Sequence, residues 1–142
     1  MMQIPIFFIG TITLTSLTLF NLGINGMYVN RTFLNIPISL IESNVIEEEV
    51  EDDEQTSINY YFNQDNLKND IKNYLTYNLK NKILNYKIGF NFFNYDNGIV
   101  TEEVENSLCN GIQIHFITNY YLNYKINNYL LFHIEKGIVY NE

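Results

Sequence analysis

MMQIPIFFIGTITLTSLTLFNLGINGMYVN, residues 1–30, contains no Asp, Glu, Lys or Arg, and the first charged side chain of the chain is Arg31. At about 1.5 Å of rise per helical residue, such a stretch is long enough to cross a hydrocarbon core of roughly 30 Å. Read as a helix at 100° per residue, it places Thr11, Thr15, Thr18, Asn21 and Asn25 along one side, while Ile6, Ile9, Leu17 and Phe20 spread over the rest. Thr and Asn on such a stripe can hydrogen-bond to a second helix, and Gly10, Gly23 and Gly26 permit close approach. A Thr hydroxyl can equally bond back to its own helix carbonyl, which requires no partner. Two rival readings weigh against the helix. A cleaved secretory signal would need a basic start, although Gly23 to Gly26 offers small residues for a cleavage site. Buried strands would use the alternation Thr11-Ile12-Thr13-Leu14-Thr15. The expectation is a retained, single-pass membrane helix over 1–30.

Seven of the eight residues over 47–54 are acidic (Glu47, Glu48, Glu49, Glu51, Asp52, Asp53 and Glu54). Self-repulsion at that density predicts a solvated, irregular spacer over 31–58. No Gly or alternating ligand pattern makes it a calcium loop. The chain carries a net charge of −8, with 16 acids against 8 bases, a sign that repels phosphate backbones and disfavours nucleic-acid partners. Cys109 is the single cysteine, so neither an internal disulfide nor a thiolate-rich metal site is possible. The 23 Asn residues, set beside an absence of Ala, reflect a compositional bias, and Asn is therefore discounted as a turn signal.

Past the acidic run, the pattern predicts a small α+β domain over 59–142. Leu67, Ile71, Leu75, Leu79 and Ile83 recur every four residues, with Tyr74 and Leu84 widening the stripe and Lys68, Asp70, Lys72, Lys80 and Lys82 opposite. A helix over 65–84 follows, capped by Asn63 or Asp65. From Tyr86 the period changes to two: Tyr86, Ile88, Phe90 and Phe92 alternate with Lys87, Gly89 and Asn91, and Asp96-Asn97-Gly98 supplies a turn. Further strands are expected over 111–121 and 127–136, with a short last one holding Ile138 and Tyr140. The fold class is α+β, with three or four strands in an antiparallel meander.

A hairpin centred near Tyr124 would set Ile114 opposite Ile134 and Phe116 opposite Phe132, placing His115 opposite His133 and Gln113 opposite Glu135 on the reverse face. Two facing imidazoles can share a metal or sense pH, but two His without a third ligand are ordinarily surface residues. No metal and no cofactor is expected, His115 and His133 being the only candidates. Catalysis is also not expected. No nucleophile–base spacing, phosphate loop or His-x-x-x-His is present, and Glu102, Glu103 and Glu105 lie in a charge-rich loop.

An apolar helix, an acidic spacer, an amphipathic helix and a strand meander, carried by residues 4–29 and 65–136, resemble pilin-like and pseudopilin-like proteins, including the TadE-like minor pilins. The resemblance implies a stem that anchors the subunit in the membrane and packs against other stems, with a small sheet domain facing outward. No basic residue precedes Arg31 and no acid precedes Glu42, so no processing site is carried over. On the positive-inside rule alone, Arg31 would keep the C-terminal side in the cytoplasm, whereas the resemblance places it outside. The function expected is a non-enzymatic, membrane-anchored structural or surface-assembly subunit. Its partners would be the membrane and other subunits. The alternatives are a membrane-anchored module binding a ligand or metal through His115, His133 and Glu135, and an accessory subunit of a larger membrane complex.

Overall fold

The computed structural model describes residues 3–79, 86–102, 108–120 and 124–141, with side chains for all of these except 3–8, 18–25, 102, 119, 120, 124 and 125. The fold is α+β. A long helix α1 (Gln3–Leu34) and a short helix α2 (Ile38–Glu42) lead into a hairpin of β1 (Val45–Asp52) and β2 (Gln55–Phe62). After α3 (Gln64–Leu79) come five further strands: β3 (Tyr86–Asp96), β4 (Ile99–Glu102), β5 (Gly111–Tyr120), β6 (Tyr124–Glu135) and β7 (Ile138–Asn141). These five form one antiparallel sheet in the order β4-β3-β5-β6-β7, while β1 and β2 pair only with each other.

The stripe on α3 is buried as its four-residue period requires: Leu67, Ile71, Leu75 and Leu79 are fully inaccessible, and Ile83 and Leu84 lie outside the described residues. Opposite them, the inner face of the sheet presents Phe92, Ile112, Ile114, Phe116, Ile126, Leu130, Phe132, Ile134 and Val139. Lys68 and Lys72 stand at the margin of α3, their ammonium groups 5.5 Å from the Phe92 ring and 5.8 Å from the Phe90 ring, so their stems cover apolar surface while their charge stays wet. Asp96-Asn97-Gly98 turns as expected, with Asn97 and Gly98 both at positive φ, the twist a two-residue hairpin needs. The turn also returns β4, a strand the alternation pattern does not announce.

Three expectations are corrected. The acidic run is not irregular: residues 45–62 form a regular hairpin in which Glu47 faces Tyr60, Glu48 faces Asn59, Glu49 faces Ile58 and Glu51 faces Thr56. Every carboxylate of β1 lies opposite a neutral residue, so the cross-strand repulsion that would melt the pair never arises. Nor is the stretch over 31–58 solvated throughout, since Phe33, Ile36 and Ile41 are buried. Val29, Phe33, Ile36 and Ile41 belong to the same core cluster as the sheet, with Val45 against it.

The third correction is the register of β5 and β6. Ile114 faces Leu130 and Ile112 faces Phe132, so β6 is slid by four residues from the expected pairing. An even slide leaves every side chain on its own face, and the hydrophobic pattern alone cannot distinguish the two registers. The observed one sets Asn128 opposite Phe116 on the inner face, where the Asn128 amide donates to Asn30 Oδ1 of α1 at 3.1 Å. A polar residue on the core face is thereby satisfied by the docked helix.

Candidate functional site

The two ends of α1 differ in what surrounds them. At its C-terminal end, Val29 and Phe33 are fully buried, and the Phe33 ring stacks on Phe116 of β5 with centroids 5.0 Å apart and planes 16° from parallel. Asn35 follows, its carbonyl accepting a 3.4 Å hydrogen bond from the Tyr74 hydroxyl of α3. Burial, and secondarily the nearby Tyr28, push the Tyr74 phenol above its ordinary value of 10.0. Arg31 sits in the last turn, where a cation is favoured by the helix dipole.

Over residues 9–17 nothing among the described residues covers the helix. Ile9, Ile12, Leu14 and Leu17 are 63%, 51%, 68% and 55% exposed. At 100° per residue these four span roughly 200° of the helix surface, with Thr11 and Thr15 in the remaining arc. The Thr15 hydroxyl donates to the Thr11 carbonyl at 2.9 Å, and Thr13 does the same to Ile9. These hydroxyls are satisfied within the helix, which is how a Thr survives in an apolar medium without a partner. Of the expected helix-packing stripe, Thr11 and Thr15 lie exposed on one side, as the helical wheel places them. The side chains of Thr18, Asn21 and Asn25 fall outside the described residues. Among the described residues, no helix is long and apolar enough to cross a membrane.

The register places His115 and His133 apart. His115 faces Tyr129, ring centroids 6.1 Å apart, and His133 faces Gly111. Gly111 is required there because the Phe93 ring lies across it, where a Cβ would stand. His133 is buried between Tyr95 and Tyr140, at 4.4 and 5.4 Å, and its Nε2 is 3.8 Å from the exposed Glu135 carboxylate. Gln113 faces Leu131, so the expected Gln113–Glu135 pair is also absent. The two imidazoles thus serve two aromatic clusters on the outer sheet face. Among the described residues no group of three or more His, Cys, Asp or Glu side chains is placed to hold a metal ion.

A cavity of about 310 Å³ separates the acidic hairpin from the end of the sheet, lined by Tyr60, Tyr61, Asn94, Asn110, Ile134 and Lys136 among others. Sequence reasoning does not find it, because β2 is not announced by the pattern. Leu108 and Asn110 line it from the segment leading into β5. The Cys109 carbonyl accepts from Phe62 N at 2.9 Å, and the Asn110 side chain bonds the backbone of Tyr95 in both directions, at 2.6 and 2.7 Å. The Tyr60 ring lies against Gly137, whose φ of +82° and missing Cβ both suit a glycine. Of the polar lining, the Asn110 side chain is thus committed to the β3 backbone at Tyr95, while the Phe62–Cys109 bond ties the hairpin to the segment leading into β5. No protein family, curated protein or solved structure matches this chain.

Proposed function

We propose that this chain is a non-enzymatic structural subunit, anchored in a membrane through the N-terminal part of α1 and carrying the sheet domain on its docked C-terminal end, as in pilin-like and pseudopilin-like subunits. One observation supports the reading above the others. The same helix that buries Val29 and Phe33 completely leaves Ile9, Ile12, Leu14 and Leu17 uncovered around most of its surface. In water that arrangement exposes apolar area with no return, whereas in lipid each of these side chains is favoured by a few tenths of a kcal/mol, about 0.3 to 0.6. Residues 9–17 rise only about 14 Å. The uncharged sequence on either side, 1–25 short of the docked end, amounts to about 37 Å of helix, the length that a crossing needs.

Fractionation tests the reading. The full chain, expressed with its native start, should sediment with membranes, resist high salt and alkaline carbonate, and be released by detergent. Recovery in the supernatant without detergent would remove the anchor and the pilin-like reading with it.

A further inference from the structure

Among the described residues, the two edges of the sheet differ in what lies beside them. Strand β7 is packed against α2. On the other side β4 pairs only with residues 93–96 of β3, and among the described residues no strand pairs with the outer edge of 86–92. The acidic hairpin is open as well: β1 pairs with β2 on one side and with no described strand on the other. An open strand edge presents a row of backbone donors and acceptors ready for another strand. The two open edges match in length, eight residues in β1 against residues 86–92 of β3.

Their charges are opposite. Seven acids lie within 47–54, whereas the described lysines beside residues 86–92 are Lys68, Lys72 and Lys87. Among the described residues the one ion pair joins His133 and Glu135, so neither the β1 carboxylates nor Lys68, Lys72 and Lys87 are neutralised within the chain. Lys87 is exposed on β3 itself, and Lys68 and Lys72 reach over the rings of Phe92 and Phe90 on the same strand.

We infer that the acidic edge of β1 in one copy of this chain adds to the 86–92 edge of β3 in a second copy, lengthening that copy's five-stranded sheet by the β1–β2 hairpin. Main-chain hydrogen bonds give such an addition its adhesion, and the charges select its partner. Two β1 edges brought together would oppose carboxylate to carboxylate, so the edge that invites pairing also forbids pairing with itself. A contact between two different surfaces is heterologous, and it repeats into an open chain or closes into a ring. This surface is separate from the stem and stands whether or not the stem lies in lipid.

The test uses the full chain in micelles of a neutral detergent, which cover the stem, with association followed by sedimentation equilibrium. Self-association should weaken about tenfold between about 50 mM and about 500 mM NaCl, as screening of exposed charges requires. Glu47→Lys with Glu49→Lys in one variant, and Lys72→Glu with Lys87→Glu in another, should each weaken it about tenfold or more, and an equal mixture of the two should restore it. All four side chains are exposed, so the fold should survive both double reversals. On the unmodified protein, association should slow amide exchange in 45–52 and 86–92 specifically. Absence of association at low salt, association indifferent to both reversals, or protection confined to other segments would each overturn the proposal. A chain that sediments with membranes yet stays monomeric in micelles would fail here while leaving the anchor intact. Soluble chains that still associate with the expected salt dependence would do the reverse.

Discussion

Residues 9–17 and 26–34 belong to one uninterrupted helix and have similar apolar content, yet one stretch is bare and the other is built into the core. The difference comes from what the rest of the chain brings to each. Phe116 of β5, Asn128 of β6 and Tyr74 of α3 converge on the second stretch and give it an apolar stack and two hydrogen bonds. Nothing described in the chain approaches the first. Hydrophobicity therefore does not determine which part of a helix is core; complementary neighbours do, and an apolar stretch without them requires a different environment.

The largest break in that comparison comes from charging the bare stretch. Ile12→Arg with Leu14→Arg should cost about 3 kcal/mol per residue on membrane partition, on the order of ten-thousandfold in all, and release the chain from membranes. Because both side chains are exposed on the bare stretch, the domain's free energy of unfolding in urea should stay within about 0.5 kcal/mol of the parent's. A simultaneous loss of domain stability would mean that the bare stretch is not bare.

The reciprocal change comes next in size. Phe33→Ala removes a fully buried ring that stacks on Phe116, and should destabilise the domain by about 3–5 kcal/mol. That is a large share of the 5–15 kcal/mol typical of a domain. Urea unfolding followed by tyrosine fluorescence suits a chain with 12 Tyr and no Trp. Membrane partition of the folded variant should be unchanged, and a parent-like unfolding curve would show that the docked end contributes nothing to the core.

How far these positions can be read from the sequence follows the same division between what a segment decides alone and what its neighbours decide. The α3 stripe is legible because one face of one helix settles it, and Leu67, Ile71, Leu75 and Leu79 are buried at the predicted positions. The Asn97–Gly98 turn is legible because its backbone demands those residues. The β5–β6 register is not, because a slide of four residues keeps every residue on its face and only Asn30, nearly a hundred positions away, distinguishes the alternatives. The acidic hairpin is hidden for a related reason. Whether Glu47, Glu48, Glu49 and Glu51 repel depends on what lies opposite them, and the neutral strand 55–62 is not apparent from the run itself. Of the expected site, the helix of α1 is legible in the uncharged N-terminal run, while the His115–His133 pairing fails with the register that produces it.

The smallest effect separates the two stretches by pH. Tyr74, packed on the docked end, has its phenol held above the ordinary value of 10.0 by burial and then by Tyr28. As pH rises past about 10, the unfolded chain ionises this group before the folded chain does; the unfolded state then binds fewer protons, and stability falls. The contribution is complete below the ordinary value and is lost as pH climbs through the raised one. Tyr74→Phe should therefore cost only a few tenths of a kcal/mol at neutral pH, for one long hydrogen bond to Asn35. Its stability should fall less steeply than the parent's between about pH 9 and about pH 11. The bare stretch contains no ionisable side chain, so membrane partition should not change over the same interval. Parallel stability curves for parent and variant would detach Tyr74 from the dock. A pH-dependent partition would instead mean that the apolar stretch is held by something that titrates, and the contrast between the two parts of α1 would have to be redrawn around that group.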